Sequence, residues 1–285
     1  MSMISLNGKL VSRNKALIPG ETDGLYYGAG CFETLRSYRG TFLHFEKHLL
    51  RLKNGIQFLT DTDKACFSEE KLRKEIRDLL EINGLIDSDA KVRIQLSLGG
   101  THGYSIPSGS DHLNMLISAN VLSDTLLNTY SLATVRTRVI PSACKPSDLK
   151  LSNMLHYRQA AIEAKMMKAD DALMLTTGGK VAESSIANIF WENDGTVYTP
   201  SSQCDILPGV TRQTVLKLLG KLNVNTSEGM FDSEEVLKAR QVFLCNSIRE
   251  LVWVDRIDGK PFATQTDLRN LLTGEFERYK EENLK

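Results

Sequence analysis

The sequence predicts an α+β protein in two domains, and three observations carry that prediction. Segments with a strand period and segments with a helix period occur in both halves of the 285-residue chain, without the regular βαβ alternation of a parallel sheet. A polar stretch, residues 120–128, separates a smaller domain over 1–119 from a larger one over 129–285. No fixed-period repeat or low-complexity segment points elsewhere.

The first half opens with turns between short strands, LNGKLV around Asn7-Gly8 and SYRGTFL around Arg39-Gly40, both hairpin signals. Phe45, Leu49, Leu52, Ile56 and Leu59 then recur at spacings of four and three and predict a helix. A second helix over 69–82 carries Leu72, Ile76 and Leu79 and stops at Asn83-Gly84. From 91 to 98, Val92, Ile94, Leu96 and Leu98 alternate with Lys91, Arg93, Gln95 and Ser97, a half-buried strand. The loop 99–111 leads to a further strand over 112–119.

The second half begins with a strand in which Ala133, Val135, Thr137 and Val139 alternate with Thr134, Arg136 and Arg138. A helix over 152–168, a hairpin around Gly178-Gly179 and a strand over 196–199 follow. The loop 201–209 enters a helix bearing Val215, Leu218, Leu219 and Leu222.

Composition narrows the function classes. Lys+Arg and Asp+Glu number 35 each, so the basic footprint of a phosphate-backbone binder is missing and neither nucleic acid nor an anionic membrane is expected as a partner. Five scattered cysteines, Cys31, Cys66, Cys144, Cys204 and Cys245, show no C-x-x-C spacing and predict reduced thiols in a cytoplasmic protein. No signal peptide or membrane span is read. His44 and His48 stand four apart on a helix, but their spacing from Glu46 is not that of a zinc motif, and no metal is expected. Gly178-Gly179-Lys180 lacks the flanking residues of a phosphate loop and reads as a plain turn. In Ile206-Leu207-Pro208-Gly209-Val210-Thr211-Arg212 a Pro-Gly turn runs into a helix start, whose free N–H groups favour an anion.

Five segments in order resemble the fold-type IV pyridoxal-phosphate enzymes: branched-chain and D-amino-acid aminotransferases and aminodeoxychorismate lyases. They are residues 27–36 (YGAGCFETLR), 48–52 (HLLRL), 149–153 (LKLSN), 183–190 (ESSIANIF) and 206–212 (ILPGVTR). The resemblance implies a small N-terminal α/β domain and a larger C-terminal mixed α/β pseudo-barrel domain carrying the Schiff-base lysine, pyridoxal 5'-phosphate as cofactor, and a homodimer. It implies that Lys150 is that lysine, with neighbouring Lys145 its rival, and that Glu183 faces the pyridine nitrogen. Arg51, Val210 and Thr211 are implied for the phosphate, with Asn246 and Ser247 also on the cofactor, and Phe32, Thr34, His102 and Tyr104 for the substrate.

Departures from the family pattern separate its members. Met154 stands where branched-chain enzymes place a tyrosine, and Asn246-Ser247-Ile248-Arg249 looks more like the lyase segment. Against the lyase, Leu98 and His102 occupy positions where it and many relatives carry arginines, leaving Arg36, Arg93, Arg136, Arg138 or Arg249 to bind the substrate carboxylate. The leading expectation is an aminotransferase passing an amino group between an amino acid and a 2-oxo acid. Alternatives are a lyase releasing pyruvate and p-aminobenzoate, and an inactive relative.

Overall fold

The structure is a computed structural model that describes residues 2–60, 68–105, 113–122 and 129–284. The chain forms two compact units: Met1–Asp124 with Leu149–Asn153 and Asn283–Lys285, and Thr125–Asp148 with Met154–Glu282.

The first unit contains β1 (Met3–Leu6), β2 (Lys9–Ser12), α1 (Asp23–Tyr26), β3 (Gly30–Tyr38), β4 (Thr41–Phe42), α2 (Phe45–Leu59), α3 (Glu69–Ile82), β5 (Ala90–Leu98) and β6 (Leu113–Val121). Its six strands form one sheet in the order β2-β1-β6-β5-β3-β4. Both expected hairpins are present. At the second, Arg39 and Gly40 have φ of 49° and 83°, the mirror-image turn whose twist matches that of the strands it joins. Both expected helices are present too, and the strand expected over 91–98 is β5. β6 continues past 119 to Val121, while Cys66, most of the tail of loop 99–111 and most of the expected connection lie outside the described residues.

Alternation assigns the two sheet faces. Cys31 and Leu35 of β3 and Val92, Ile94 and Leu96 of β5 join Leu49, Leu52 and Ile56 of α2 and Ile76 and Leu79 of α3 in one core. The other face therefore presents Phe32 and Thr34, paired in register with Gln95 and Arg93. The segment Leu149–Asn153 belongs to this unit, whereas the sequence reading assigns it to the C-terminal domain. Ladder bonds explain the difference: the Phe32 N–H donates to the Lys150 carbonyl at 2.9 Å and the Ser152 N–H to the Gly30 carbonyl at 2.8 Å. Leu149 and Leu151 enter the core, so the lysine between them points to the Phe32 face.

The second unit contains β7 (Thr129–Arg138), α4 (Leu155–Met166), β8 (Asp171–Leu175), β9 (Val181–Ser184), β10 (Asn188–Asn193), β11 (Thr196–Pro200), α5 (Val210–Lys221), β12 (Asn225–Gly229), α6 (Ser233–Leu237), β13 (Gln241–Asn246), β14 (Glu250–Ile257), β15 (Lys260–Pro261) and α7 (Asp267–Asn283). β7, β8, β9, β10, β13 and β14 close into a ring, the expected pseudo-barrel, with parallel pairs only where β7 meets β8 and β14. Leu132, Leu173, Val181, Ile189, Leu244 and Val254 fill its interior. Ala133, Val135, Ala172 and Met174 face outward onto Ala160 and Ala164 of α4. Small residues four apart let that helix lie close to the strands.

Candidate active site

Lys150 and Arg93 gather on one aromatic ring in the first unit. Lys150 Nζ lies 4.8 Å from the centroid of Phe32, and Arg93 Cζ lies 3.7 Å from the same centroid. Both positions follow from strand geometry, since Phe32 and Thr34 share a face of β3 while Arg93 is the cross-strand partner of Thr34. Arg93 Nη2 donates to Gln95 Oε1 at 2.8 Å, and Gln95 Nε2 donates to Ser152 Oγ at 2.7 Å. That chain of side chains ties the lysine segment to β5. Burial pulls the Arg93 guanidinium below the ordinary arginine value.

Glu33 is on the opposite face of β3 and is 1% exposed. Arg51 donates from Nε to Oε1 at 2.6 Å and from Nη2 to Oε2 at 3.0 Å, and His48 Nδ1 lies 2.7 Å from Oε2. Burial pushes the Glu33 carboxyl up, but the charges of Arg51 and His48 outweigh it and hold it at about 2. The fork expected to meet a phosphate thus has its Nε–Nη2 edge on Glu33. His48 partners Glu33, and His44 takes the helix N-cap with Nδ1 3.7 Å from Glu46, so the two histidines serve different carboxylates.

His102 pairs with Asp23 in the first unit, its N–H donating to Oδ2 at 2.8 Å and its Nδ1 standing 3.0 Å from the same oxygen. Tyr104 is 98% exposed, with its ring 5.9 Å from that of Tyr27.

In the second unit Glu183 lies in a fully buried strand and accepts from the Tyr157 hydroxyl at 2.5 Å and the Leu207 N–H at 3.2 Å on Oε1, and from Asn188 Nδ2 at 3.0 Å on Oε2. Both carboxylate oxygens thus accept hydrogen bonds from neighbouring donors. Asn188 Nδ2 also donates to the Leu207 carbonyl at 2.8 Å, fixing the turn that leads into α5. Gly209 caps that helix without a side-chain bond, and a Cβ there would meet Asn188 Oδ1 at 2.2 Å. Only glycine fits this approach. Val210 and Thr211 open α5, and Thr211 Oγ1 lies 3.4 Å from Ser247 Oγ. Helix N–H groups and two hydroxyls here make a donor set suited to a phosphate. Asn246 shapes the turn instead: its Oδ1 accepts from the N–H groups of Ile248 and Arg249, and its Nδ2 donates to the Ile186 carbonyl.

Lys145 is buried in the second unit. Burial pushes its ammonium below the usual lysine range, opposed by the charge of Glu183. Burial and then Lys145 push His156 down to about 4. The two lysines of the sequence reading thus part: Lys145 sits in the field of Glu183, and Lys150 sits on Phe32. The sequence reading did not single out Tyr157; its only signal is an aromatic residue one helical turn beyond Met154.

Residues 30–257 match the family model for class IV amino-transferases. The chain belongs to the class IV aminotransferase family. This class IV aminotransferase is 26% identical to the aminodeoxychorismate lyase of Bacillus subtilis, over 93% of its own length and 89% of the relative's. It is 29% identical to a putative branched-chain-amino-acid aminotransferase of Methanocaldococcus jannaschii, over 90% and 88% of the two chains. Among solved structures it resembles the branched-chain aminotransferase of Thermoproteus uzoniensis with norvaline, at a TM-score of 0.86 and 25% identity over 98% and 97% of the two chains. Five ordered segments that resemble one family, and a barrel closed by β9 on β10, thus accord with the family match.

Proposed function

We propose that this class IV aminotransferase holds pyridoxal 5'-phosphate and passes an amino group between an amino acid, of branched-chain or D-type, and a 2-oxo acid. The observation that carries the reading is the shared ring: an amine and a guanidinium both lie against Phe32, suiting a substrate that bears an amino group beside a carboxylate. When bound, the cofactor supplies an electron sink that makes the substrate's Cα–H acidic.

The residues present fit that cofactor: a buried carboxylate, a glycine-capped helix start and a hydroxyl pair occur in one unit. Lys150 would hold the cofactor through its Nζ, and the same amine would serve as the base that moves the substrate's α-proton. Glu183 would keep the ring nitrogen protonated. Val210 and Thr211 N–H groups, the Thr211 and Ser247 hydroxyls, and Arg51 with its plane braced by Glu33 would hold the phosphate. Arg93 would bind the substrate carboxylate, with Phe32 and Thr34 beside it.

Aminodeoxychorismate lyase is the second reading, favoured by the Asn246-centred turn and the Bacillus subtilis relative. The aminotransferase reading leads because Arg93 is the arginine that shares Phe32 with Lys150, and one carboxylate anchor suits a simple amino acid better than a dicarboxylate. Arg36 is taken by Asp89, and Arg138 donates to main-chain carbonyls. The deciding experiment offers the holoenzyme aminodeoxychorismate, read by p-aminobenzoate, and L- and D-amino acids with 2-oxoglutarate, read by glutamate. Glutamate is expected, and aminobenzoate without glutamate overturns the reading. An inactive relative would keep the cofactor's visible absorption after Lys150→Ala; loss of that band is expected.

We also propose a cytoplasmic homodimer. No helix among the described residues is long and apolar enough to cross a membrane. Leu155 and Met166 of α4, 73% and 80% exposed, lie with half-exposed Ile162 on one stripe of that helix. Light scattering should give twice the 31.8 kDa chain mass.

A further inference from the structure

Glu183 is held by donors from three different elements, and one of them has no counterpart in the roles assigned above. Tyr157 is on the first turn of α4, Asn188 opens β10, and Leu207 lies in the turn before α5. Asn188 and Leu207 also bind each other, so they belong to one local knot. Tyr157 reaches the same carboxylate independently, from a helix pinned to the barrel by fully buried Ala160 and Ala164. Its ring packs 4.1 Å from that of His156, centroid to centroid. Burial and the adjacent Glu183 charge raise its hydroxyl well above the usual phenol range, so it is a fixed donor.

We propose that Tyr157 is a positioning residue for the ring nitrogen of the bound cofactor, acting through Glu183. The proposal rests on the reading that Glu183 faces that nitrogen. A donor on a carboxylate lowers its proton affinity and fixes its plane. With the phenol on Oε1, a proton shared with a ring nitrogen stays on the nitrogen, where it strengthens the electron sink.

The test compares two cofactors on the full-length protein freed of cofactor. Wild type, Tyr157→Phe and Glu183→Gln are titrated with pyridoxal 5'-phosphate and with its 1-deaza analogue, in which a C–H replaces the ring nitrogen, by quenching of tryptophan fluorescence. Tyr157→Phe is expected to weaken pyridoxal phosphate roughly 10- to 150-fold, the range of one hydrogen bond to a charged group, and to leave the analogue within about 2-fold. The ratio of the two affinities is taken on the same sample, so partial misfolding cancels. Equal weakening of both cofactors, or no change in either, overturns the proposal, because Tyr157 then only anchors its helix or does nothing. If instead Glu183→Gln leaves the ratio at its wild-type value, the reading of Glu183 fails, and the proposal with it. The Glu183 variant thus separates the two failures.

Discussion

Glu33 shows what one residue contributes when its charge is buried and matched. Its carboxyl is held at about 2 against an ordinary 4.5, so its contribution to stability is complete above about pH 4.5 and is lost as the pH falls through 2. Glu33→Gln leaves Arg51 and His48 facing a neutral amide, and is expected to cost about 3–5 kcal/mol at pH 7. Denaturant melts of both proteins at pH 7 and pH 3 check this, with the difference between them shrinking at the lower pH. Arg93→Ala removes the guanidinium from the Phe32 ring and is expected to raise KM for the amino acid by about 10- to 100-fold, one charge-assisted contact, with a smaller change in kcat. Steady-state kinetics decide it; an unchanged KM places the carboxylate elsewhere. Lys150 and Glu183 were singled out in the sequence because ordered motifs surround them. Arg93 stood there as one of five candidate arginines, and only strand register set it opposite Thr34.

At the scale of elements, periodicity was a sound guide wherever one face is buried. The expected helix over 69–82 and strand over 91–98 match α3 and β5 almost to the residue, because their apolar positions recur at 3.6 and at 2. The helix expected over 152–168 begins later, at Leu155, because Leu149–Asn153 runs as an extended segment hydrogen-bonded to β3. The helix start at Val210 carries a further prediction. Gly209→Ala would press a methyl onto Asn188, which is already committed to Glu183 and Leu207. Either the turn or Asn188 must move, with a stability loss of about 1–3 kcal/mol. Cofactor affinity should fall at least about 10-fold, as a shift of 1.4 kcal/mol or more in binding implies. Equilibrium dialysis of the variant checks it.

For the whole molecule, the closed barrel commits apolar side chains on both faces of its strands. Phe243 on its outer wall stacks on Phe190, ring centroids 5.0 Å apart, and packs 4.8 Å from Trp253. Phe243→Ala is expected to cost about 3–5 kcal/mol, visible as a lowered Tm in calorimetry. Neutral overall charge gains a sharper meaning at this scale: with 35 charges of each sign, recognition of an anionic cofactor and an acid substrate falls to local groups.

The sequence by itself determined the α+β class, the two halves, most helices and hairpins, and the five segments that carry the family resemblance. Those features depend on local periodicity, on turn chemistry and on residue types in order along the chain. Tertiary structure alone decided that Lys150 joins β3 and shares Phe32 with Arg93, that Glu33 braces Arg51, and that Tyr157 reaches the Glu183 carboxylate. Each of those contacts pairs residues far apart in sequence, and strand register and helix docking, not local pattern, set which of them meet.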